Sequence, residues 1–270
     1  MTEFITVEAL AERIPDGASL AVPPDYSGVA MAATRALIRR KARGLRLLAV
    51  PTTGLQADLL IGAGAAGEIE AAAVVLGEAG LAPRFTAAVK AGRLTMRDST
   101  CPAIHAGLQA AEKGLPFMAL RGILGSDLLG RRPDWRVIDN PFGDDDPILL
   151  LPALAPDIAL FHAAAADRGG NVWIGRRREL VTMAHAARRT LVTVERILEE
   201  ELPASERTAA GSLSSLYVEA VAEAPRGAWP LGLVEEYEAD AGHLAAYAAA
   251  AATEDGFAAY LAEHVAHHAL

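Results

Sequence analysis

Residues 161–175 read FHAAAADRGGNVWIG, which gathers His162, Asp167 and Asn171 around the pair Gly169-Gly170. An imidazole, a carboxylate and a carboxamide within ten residues are the groups of a metal site, a proton-transfer centre or a hydrogen-bonded turn. Aspartate and asparagine tolerate left-handed backbone, and glycine adopts it without steric cost, so a turn accounts for Asp167, Gly169, Gly170 and Asn171. His162 stands near the end of an apolar run and has no partner close to it in sequence. A hydrogen-bonded core histidine is its default.

Other groups invite similar scrutiny. Glu195 ends the apolar run TLVTVE, where an ion pair with Arg196 or with an arginine of GRRRE is expected. His264, His267 and His268 share one helix face near the C-terminus. Only Glu263 stands beside them as a carboxylate, so no metal is expected. The phosphate-loop, GxGxxG, HExxH and GxSxG patterns are absent. GAGAAG at 62–67 has glycines near nucleotide-loop spacing but follows a helix-like stretch, which makes it a helix stop and turn. GDDD at 143–146 reads as a solvated acidic turn.

These groups must be positioned by an alternation of strands and helices. VEALAERI reads as a short amphipathic helix stopped at Pro15-Asp16-Gly17, and ASLAV as a buried strand followed by the loop PPDYSG. In VAMAATRALIRRKARG, Val29, Ala33 and Leu37 lie one turn apart and Gly44 caps the end, which predicts a helix. LRLLAVP, IEAAAVVLG, LTMRD, LPFMALRG, DIALFHAA, TLVTVERI and LYVEAVAEAP read as strands, although the alanines of IEAAAVVLG leave helix open. LQADLLIGAG, APRFTAAVKAGR, PAIHAGLQAAEKG and ELVTMAHAARR read as helices. From about Asp240 an alanine-rich helical extension follows, in one or two pieces. Unbroken apolar strands alternating with helices predict a single α/β domain over 1–270, with a mainly parallel open sheet flanked by helices on both faces. Ligands in such sheets sit at the carboxyl ends of strands, which directs attention to the loops at 23–28, 77–83, 98–102, 121–127 and 162–171.

The composition narrows the function classes. The 270 residues carry a net charge of −9, which argues against nucleic acid and anionic membranes as partners. A small anion is compatible, because arginines cluster in RGLR, LGRRPDWR and GRRRELV. Cys101 is the only cysteine, so no disulfide framework exists within one chain and a reducing, cytoplasmic setting is expected. No secretory signal is visible, and no apolar stretch reaches the roughly 20 residues that span a bilayer.

Read together, LAPDIALFHAAAADRGGNVWIG and MAHAARRTLVTVERI resemble the α-subunit of class I coenzyme A transferases, of the type of glutaconate transferase and its relatives. The matching positions are Pro156, Asp157, His162, Ala166, Asp167, Gly170, Asn171, Val194 and Glu195. The segment from AVKAGRLTMRD to GLPFMALRGILGSDLL resembles the family's centre, with its Gly125-Ser126-Asp127 loop, and APRGAWPLGLVEEYEAD resembles a late loop. The likeness spans roughly residues 5–250 and implies the transferase fold. Two departures stand out. Where the family often has Gly-Gly-Phe, with an amide approaching the thioester, this chain has Pro23-Pro24-Asp25-Tyr26-Ser27-Gly28, and proline has no amide hydrogen. Trp229 stands where the family's late loop has a histidine.

The resemblance implies a carboxylate nucleophile that attacks an acyl thioester, coenzyme A being a substrate rather than a bound cofactor. It implies that a β-subunit supplies this glutamate, and that acyl-CoA and a carboxylate are the substrates. Tyr26, Ser27, Gly77, Arg121, Ser126 and Asp127 are the expected substrate contacts, Arg121 by a bidentate grip on a carboxylate. Glu78, in Glu78-Ala79-Gly80, imitates the nucleophile's context, yet its place in the chain fits a loop lining the cleft. A related group of two-subunit enzymes opens steroid rings on CoA thioesters with water and an acid carried by the α-subunit. Asp98, in LTMRDSTCP, is the only acid in the corresponding segment, which makes a C–C hydrolase with Asp98 as base the alternative. A catalytically silent sensor shares this general architecture and is the third reading, although no helix-turn-helix segment accompanies it.

Overall fold

The computed structural model describes residues 2–266, so His267 and His268 lie outside the described residues. Eight parallel strands form the main sheet. In chain order they are β1 (Glu3–Phe4), β2 (Ser19–Val22), β3 (Leu45–Ala49), β4 (Ala66–Ala71), β5 (Thr95–Asp98), β6 (Ile158–Asp167), β7 (Arg189–Leu198) and β8 (Ala220–Glu223). Their order across the sheet is β1-β8-β7-β6-β2-β3-β4-β5. The chain therefore winds from β2 to one edge, returns, and winds from β6 toward the other. The two directions part between β2 and β6. Strand connections diverge there and leave a crevice beyond the strand ends.

The predicted parallel α/β architecture is present, with an apolar layer on each face of the sheet. On one face α1 (Val7–Glu12), α2 (Met31–Arg39), α3 (Leu55–Gly62) and α4 (Pro83–Lys90) pack through Leu10, Leu37, Leu59 and Leu60, all buried. On the other face α5 (Cys101–Glu112) and α6 (Arg178–Ala186) pack through Ile104, Leu108, Leu180 and Met183. The run 158–166 points side chains alternately into the two layers: Ile158 and Leu160 belong to one, Ala159 and Phe161 to the other. That is why it reads as an unbroken apolar run.

Two readings of the sequence need correction. LPFMALRG does not extend the main sheet. Its strand, Phe117–Leu120, joins Pro147–Pro152 and Arg136–Asp139 in a separate three-stranded antiparallel sheet. The latter two strands sit in a segment read as irregular, where short runs and prolines hide the period-two pattern. The acidic turn is not simply solvated either. Asp146 accepts Arg121 Nε at 2.8 Å and Asn140 Nδ2 at 2.6 Å. The arginine and asparagine bonds hold its carboxyl down to about 2.

The C-terminal extension is two helices, α7 (Ala241–Ala250) and α8 (Glu254–His264). Asp240 caps the first by accepting His243 N at 2.9 Å, and Thr253 caps the second by accepting Gly256 N at 3.1 Å. The pair is fastened to α3 by Tyr247, whose hydroxyl donates to Asp58 Oδ2 at 2.6 Å in a fully buried contact. No described helix is long and apolar enough to cross a membrane.

Removing the Tyr247 hydroxyl leaves a buried carboxylate one donor short, a loss of about 1–3 kcal/mol. Tyr247→Phe is therefore expected to lower the urea unfolding midpoint. An unchanged midpoint would show that the contact does not fasten the C-terminal helices.

Candidate active site

The crevice is organised around His162, which is fully buried near the C-terminal end of β6. In the parallel register His162 lies opposite Thr193 of β7, and its Nδ1 is 2.8 Å from Thr193 Oγ1. Two residues on, and therefore on the same face, Glu195 places Oε1 2.7 Å from His162 Nε2. The same oxygen accepts the Tyr237 hydroxyl at 2.7 Å, and Oε2 accepts the Arg226 amide at 2.6 Å. Tyr237 in turn accepts the Ala228 amide at 3.1 Å.

Burial raises the Glu195 carboxyl's pKa, but the donors from His162, Tyr237 and Arg226 outweigh it and bring it to about 2. An ionised carboxylate only accepts, so His162 Nε2 carries the proton of their shared bond. Burial and the bond to Glu195 raise the Tyr237 phenol. Glu195 is thus a fixed anion with both oxygens occupied. The expected partners, Arg196 and the GRRRE arginines, do not reach it. Adjacent strand residues point to opposite faces, and Arg196 pairs instead with Glu236 at 2.8 Å.

The loops close onto this histidine at its backbone as well. Gly28, after β2, accepts the His162 amide at 2.7 Å and has a φ of +77°. A Cβ there would lie 2.1 Å from the His162 carbonyl oxygen. A Cβ on Gly227 would lie 2.5 Å from the imidazole Cε1. Only glycine permits either approach. Ser27, next to Gly28, is buried, and its hydroxyl donates to Glu179 in the first turn of α6. The Ser27 amide donates to Pro24 O at 2.9 Å and so closes the turn.

Asp25 occupies the same loop. Its Oδ2 accepts the Leu55 amide at 3.1 Å, while Oδ1 is buried without a partner among the described residues. Burial pushes its carboxyl up to about 6, against the pull of the Leu55 and Gly54 amides.

Two neighbouring cavities open at these strand ends. One, of about 510 Å³, is lined by Ser27, His162, Trp173 and the Arg176–Arg178 run. The other, of about 990 Å³, is lined by Asp25, Gly77, Glu78 and the segment around Glu235. Tyr26 and Arg177 belong to both. The Arg177 guanidinium lies 5.5 Å from the Tyr26 ring centroid.

The structure thus brings Tyr26, Ser27, Gly77 and Glu78 to one crevice, with His162 at its floor. Arg121, Ser126 and Asp127 stand apart on the antiparallel excursion, lining neither cavity. Arg121 binds Asp146 there. Asp98 ends β5 half-exposed, 3.7 Å from Arg131, and also lies outside both cavities. Asp167, Gly170 and Asn171 build the hairpin turn. Asp167 accepts the Asn171 and Leu202 amides, each at 2.9 Å, and a Cβ on Gly170 would meet Thr2 Oγ1 at 2.3 Å. Among the described residues no group of three His, Cys, Asp or Glu is placed to hold a metal. Thr193, Asp25 and the Arg226 amide escaped the sequence reading. The Thr-x-Glu spacing on one strand face was the available signal for the first.

A parallel sheet with its crevice at the point of reversal, floored by a strand-end histidine, matches the coenzyme A transferases. The family model described as "Coenzyme A transferase" matches residues 5–224. The chain belongs to that family. Within it the chain is of the α-subunit type. It is 31 % identical over 273 residues to the α-type subunit of 3-oxoadipate CoA-transferase from Pseudomonas knackmussii, covering 98 % of this chain and 94 % of that one. Glutaconate coenzyme A-transferase from Acidaminococcus fermentans superimposes with a TM-score of 0.88 at 27 % identity, over 98 % of this chain and 89 % of that one. A cholesterol ring-cleaving hydrolase IpdA subunit of Rhodococcus jostii is 30 % identical over 194 residues, covering 68 % of this chain. The chain spans 64 % of that relative's length, and 58 % of a longer Archaeoglobus fulgidus relative's.

Glu195 titrates at about 2 in the folded chain against 4.5 unfolded, so its stabilising effect is complete above pH 4.5 and fades as pH falls toward 2. At about 1.4 kcal/mol per pH unit, the effect is on the order of 3 kcal/mol. Urea unfolding of the wild type and Glu195→Gln should therefore show a stability gap at pH 7 that has shrunk substantially by pH 3. A gap of constant size over that range would contradict the anionic assignment.

Proposed function

We propose that this chain works as the α-subunit of a heteromeric CoA-transferase, with a β-subunit supplying the nucleophilic glutamate. The observation that carries this reading is the state of the chain's own strand-end carboxylate. Glu195 sits nearest the crevice floor, yet both its oxygens accept strong hydrogen bonds and its charge is held by three donors. A nucleophile needs a free lone pair and an unneutralised charge. The end-to-end likeness to an α-type chain supports the same division of labour.

In this reading the partner's carboxylate attacks the acyl thioester. The C–S bond breaks, an acyl–glutamyl anhydride forms and CoA leaves as thiolate. The thiolate then attacks the glutamyl carbonyl and releases the first carboxylate. A second carboxylate reverses the sequence and leaves as the new thioester. This chain supplies the walls. Tyr26, Ser27 and Gly77 line the acyl path, and the Pro23-Pro24 departure moves any amide donor to later positions of the loop. Glu78 faces the larger cavity as a lining residue. Arg121, Ser126 and Asp127, on the excursion, contact substrate only if the partner's cleft extends over that sheet. His162 and Glu195 hold the two halves of the crevice at fixed spacing.

The hydrolase relative favours a second reading, with water in place of the acceptor and Asp98 as its base. The distance of Asp98 from both cavities weighs against it. The two readings separate experimentally. Asp98→Ala should leave acceptor-dependent CoA transfer within about twofold of wild type, since exposed carboxylates contribute little. Abolished turnover, with free acid formed in the absence of acceptor, would establish the hydrolase instead.

The chain alone should show no transfer between acyl-CoA donors and carboxylate acceptors. Transfer should appear when a β-type chain is added. Mass spectrometry of the reacting pair should place the acyl-trapped glutamate on the partner. An adduct on Glu78 or Glu195 would refute the proposed division.

A further inference from the structure

The smaller cavity carries a charge pattern that the transfer chemistry leaves unexplained. Arg176, Arg177, Arg178 and Arg207 all line it. The chain is acidic, with 34 carboxylates against 25 lysines and arginines, and fourteen arginines elsewhere lie within 4 Å of a carboxylate oxygen. These four have no such partner among the described residues. Arg178 reaches only the Ala210 carbonyl, at 3.4 Å, and Arg177 only the Tyr26 ring. Four adjacent guanidinium groups repel one another, so leaving them unpaired beside one cavity costs stability unless an anion compensates. The cavity also contains Glu235, which tempers the field without pairing with any of the four.

Two further features fit a ligand with both charge and an aromatic ring. The Trp173 indole forms part of the wall and is fixed from behind, since a Cβ on Gly211 would lie 2.5 Å from it. Tyr26 adds a second ring at the passage to the larger cavity. The cavity therefore offers guanidinium forks for phosphate oxygens and an indole face for a heterocycle. At about 510 Å³ it can enclose a nucleotide-sized group, whereas a free phosphate would leave most of it empty.

We propose that the cleft lined by Arg176, Arg177, Arg178 and Arg207 binds the phosphorylated adenosine end of the CoA thioester, with the acyl end running past Tyr26 into the larger cavity. This rests on the transferase reading for the identity of the thioester. The charge chemistry would equally suit a free nucleotide, and the experiment distinguishes the two.

The full chain is titrated calorimetrically with CoA, dephospho-CoA, ATP and inorganic phosphate, as wild type and as the double variant Arg176→Ser/Arg207→Ser. Both side chains are exposed and lack side-chain partners among the described residues, so the variant should fold. Arg93→Ser, on the opposite rim of the sheet beside Glu254, serves as the charge control. Wild type should prefer CoA over dephospho-CoA, ATP and phosphate. The double variant should lose about tenfold or more in CoA affinity, and the control should not. In the reconstituted pair, the same double variant should raise KM for the acyl-CoA donor with kcat nearly constant. Equal affinity of wild type and double variant for CoA would overturn the site, as would an unchanged KM. Preference for ATP over CoA would overturn the CoA assignment. If CoA binds as expected but no partner yields transfer, the transferase reading fails while this site stands.

Discussion

The His162–Glu195 hydrogen bond is the constraint on which the crevice depends. It joins two neighbouring parallel strands at their carboxyl ends, next to the line where the chain's winding reverses. Without a bond there, β6 and β7 would still pair, but the loops beyond them would have no common anchor. Glu195 extends the anchor to the late loop by accepting the Arg226 amide and the Tyr237 hydroxyl. Gly28 and Gly227 extend it to the backbone on either side, because each sits where a side chain would strike His162. Three segments remote in sequence thereby converge on one imidazole.

That arrangement has a chemical consequence. A carboxylate stabilised by three donors is a weak base and a weak nucleophile, however close it lies to a substrate. The strength that fixes the crevice removes Glu195 from covalent chemistry. An enzyme built this way benefits from bringing its reactive carboxylate on a different element, where it can stay free of donors. The α-type chains of the coenzyme A transferase family are consistent with that separation. Asp25 shows the opposite condition. It is buried with one oxygen unpartnered among the described residues, and its carboxyl is pushed up rather than held down.

Charge is distributed with similar economy. Most arginines of this acidic chain are neutralised by nearby carboxylates, many of them at the surface, where such pairs add little to stability. The four that line the smaller cavity are the local exception. A positive cleft in a negative protein concentrates the field where a phosphate would enter. The same net charge discourages association with nucleic acid.

The alternating strands, the parallel sheet and the turn at Asp167–Asn171 were all legible in the sequence, because each depends on local periodicity or on backbone freedom at glycine. The family's order of motifs was legible for the same reason, as were Tyr26, Ser27, Gly77 and Glu78 as residues of strand-end loops. The antiparallel excursion was not, since its strands are short and interrupted by proline. Neither was the partner of Glu195, for a reason of geometry: the neighbour in sequence points to the other face, and the true partner lies 33 positions away on an adjacent strand. What the sequence determined by itself was which residues end strands and which loops must carry function. Which of those ends meet was decided by strand order, a long-range choice made by packing two apolar layers around one sheet, and no local pattern encodes it.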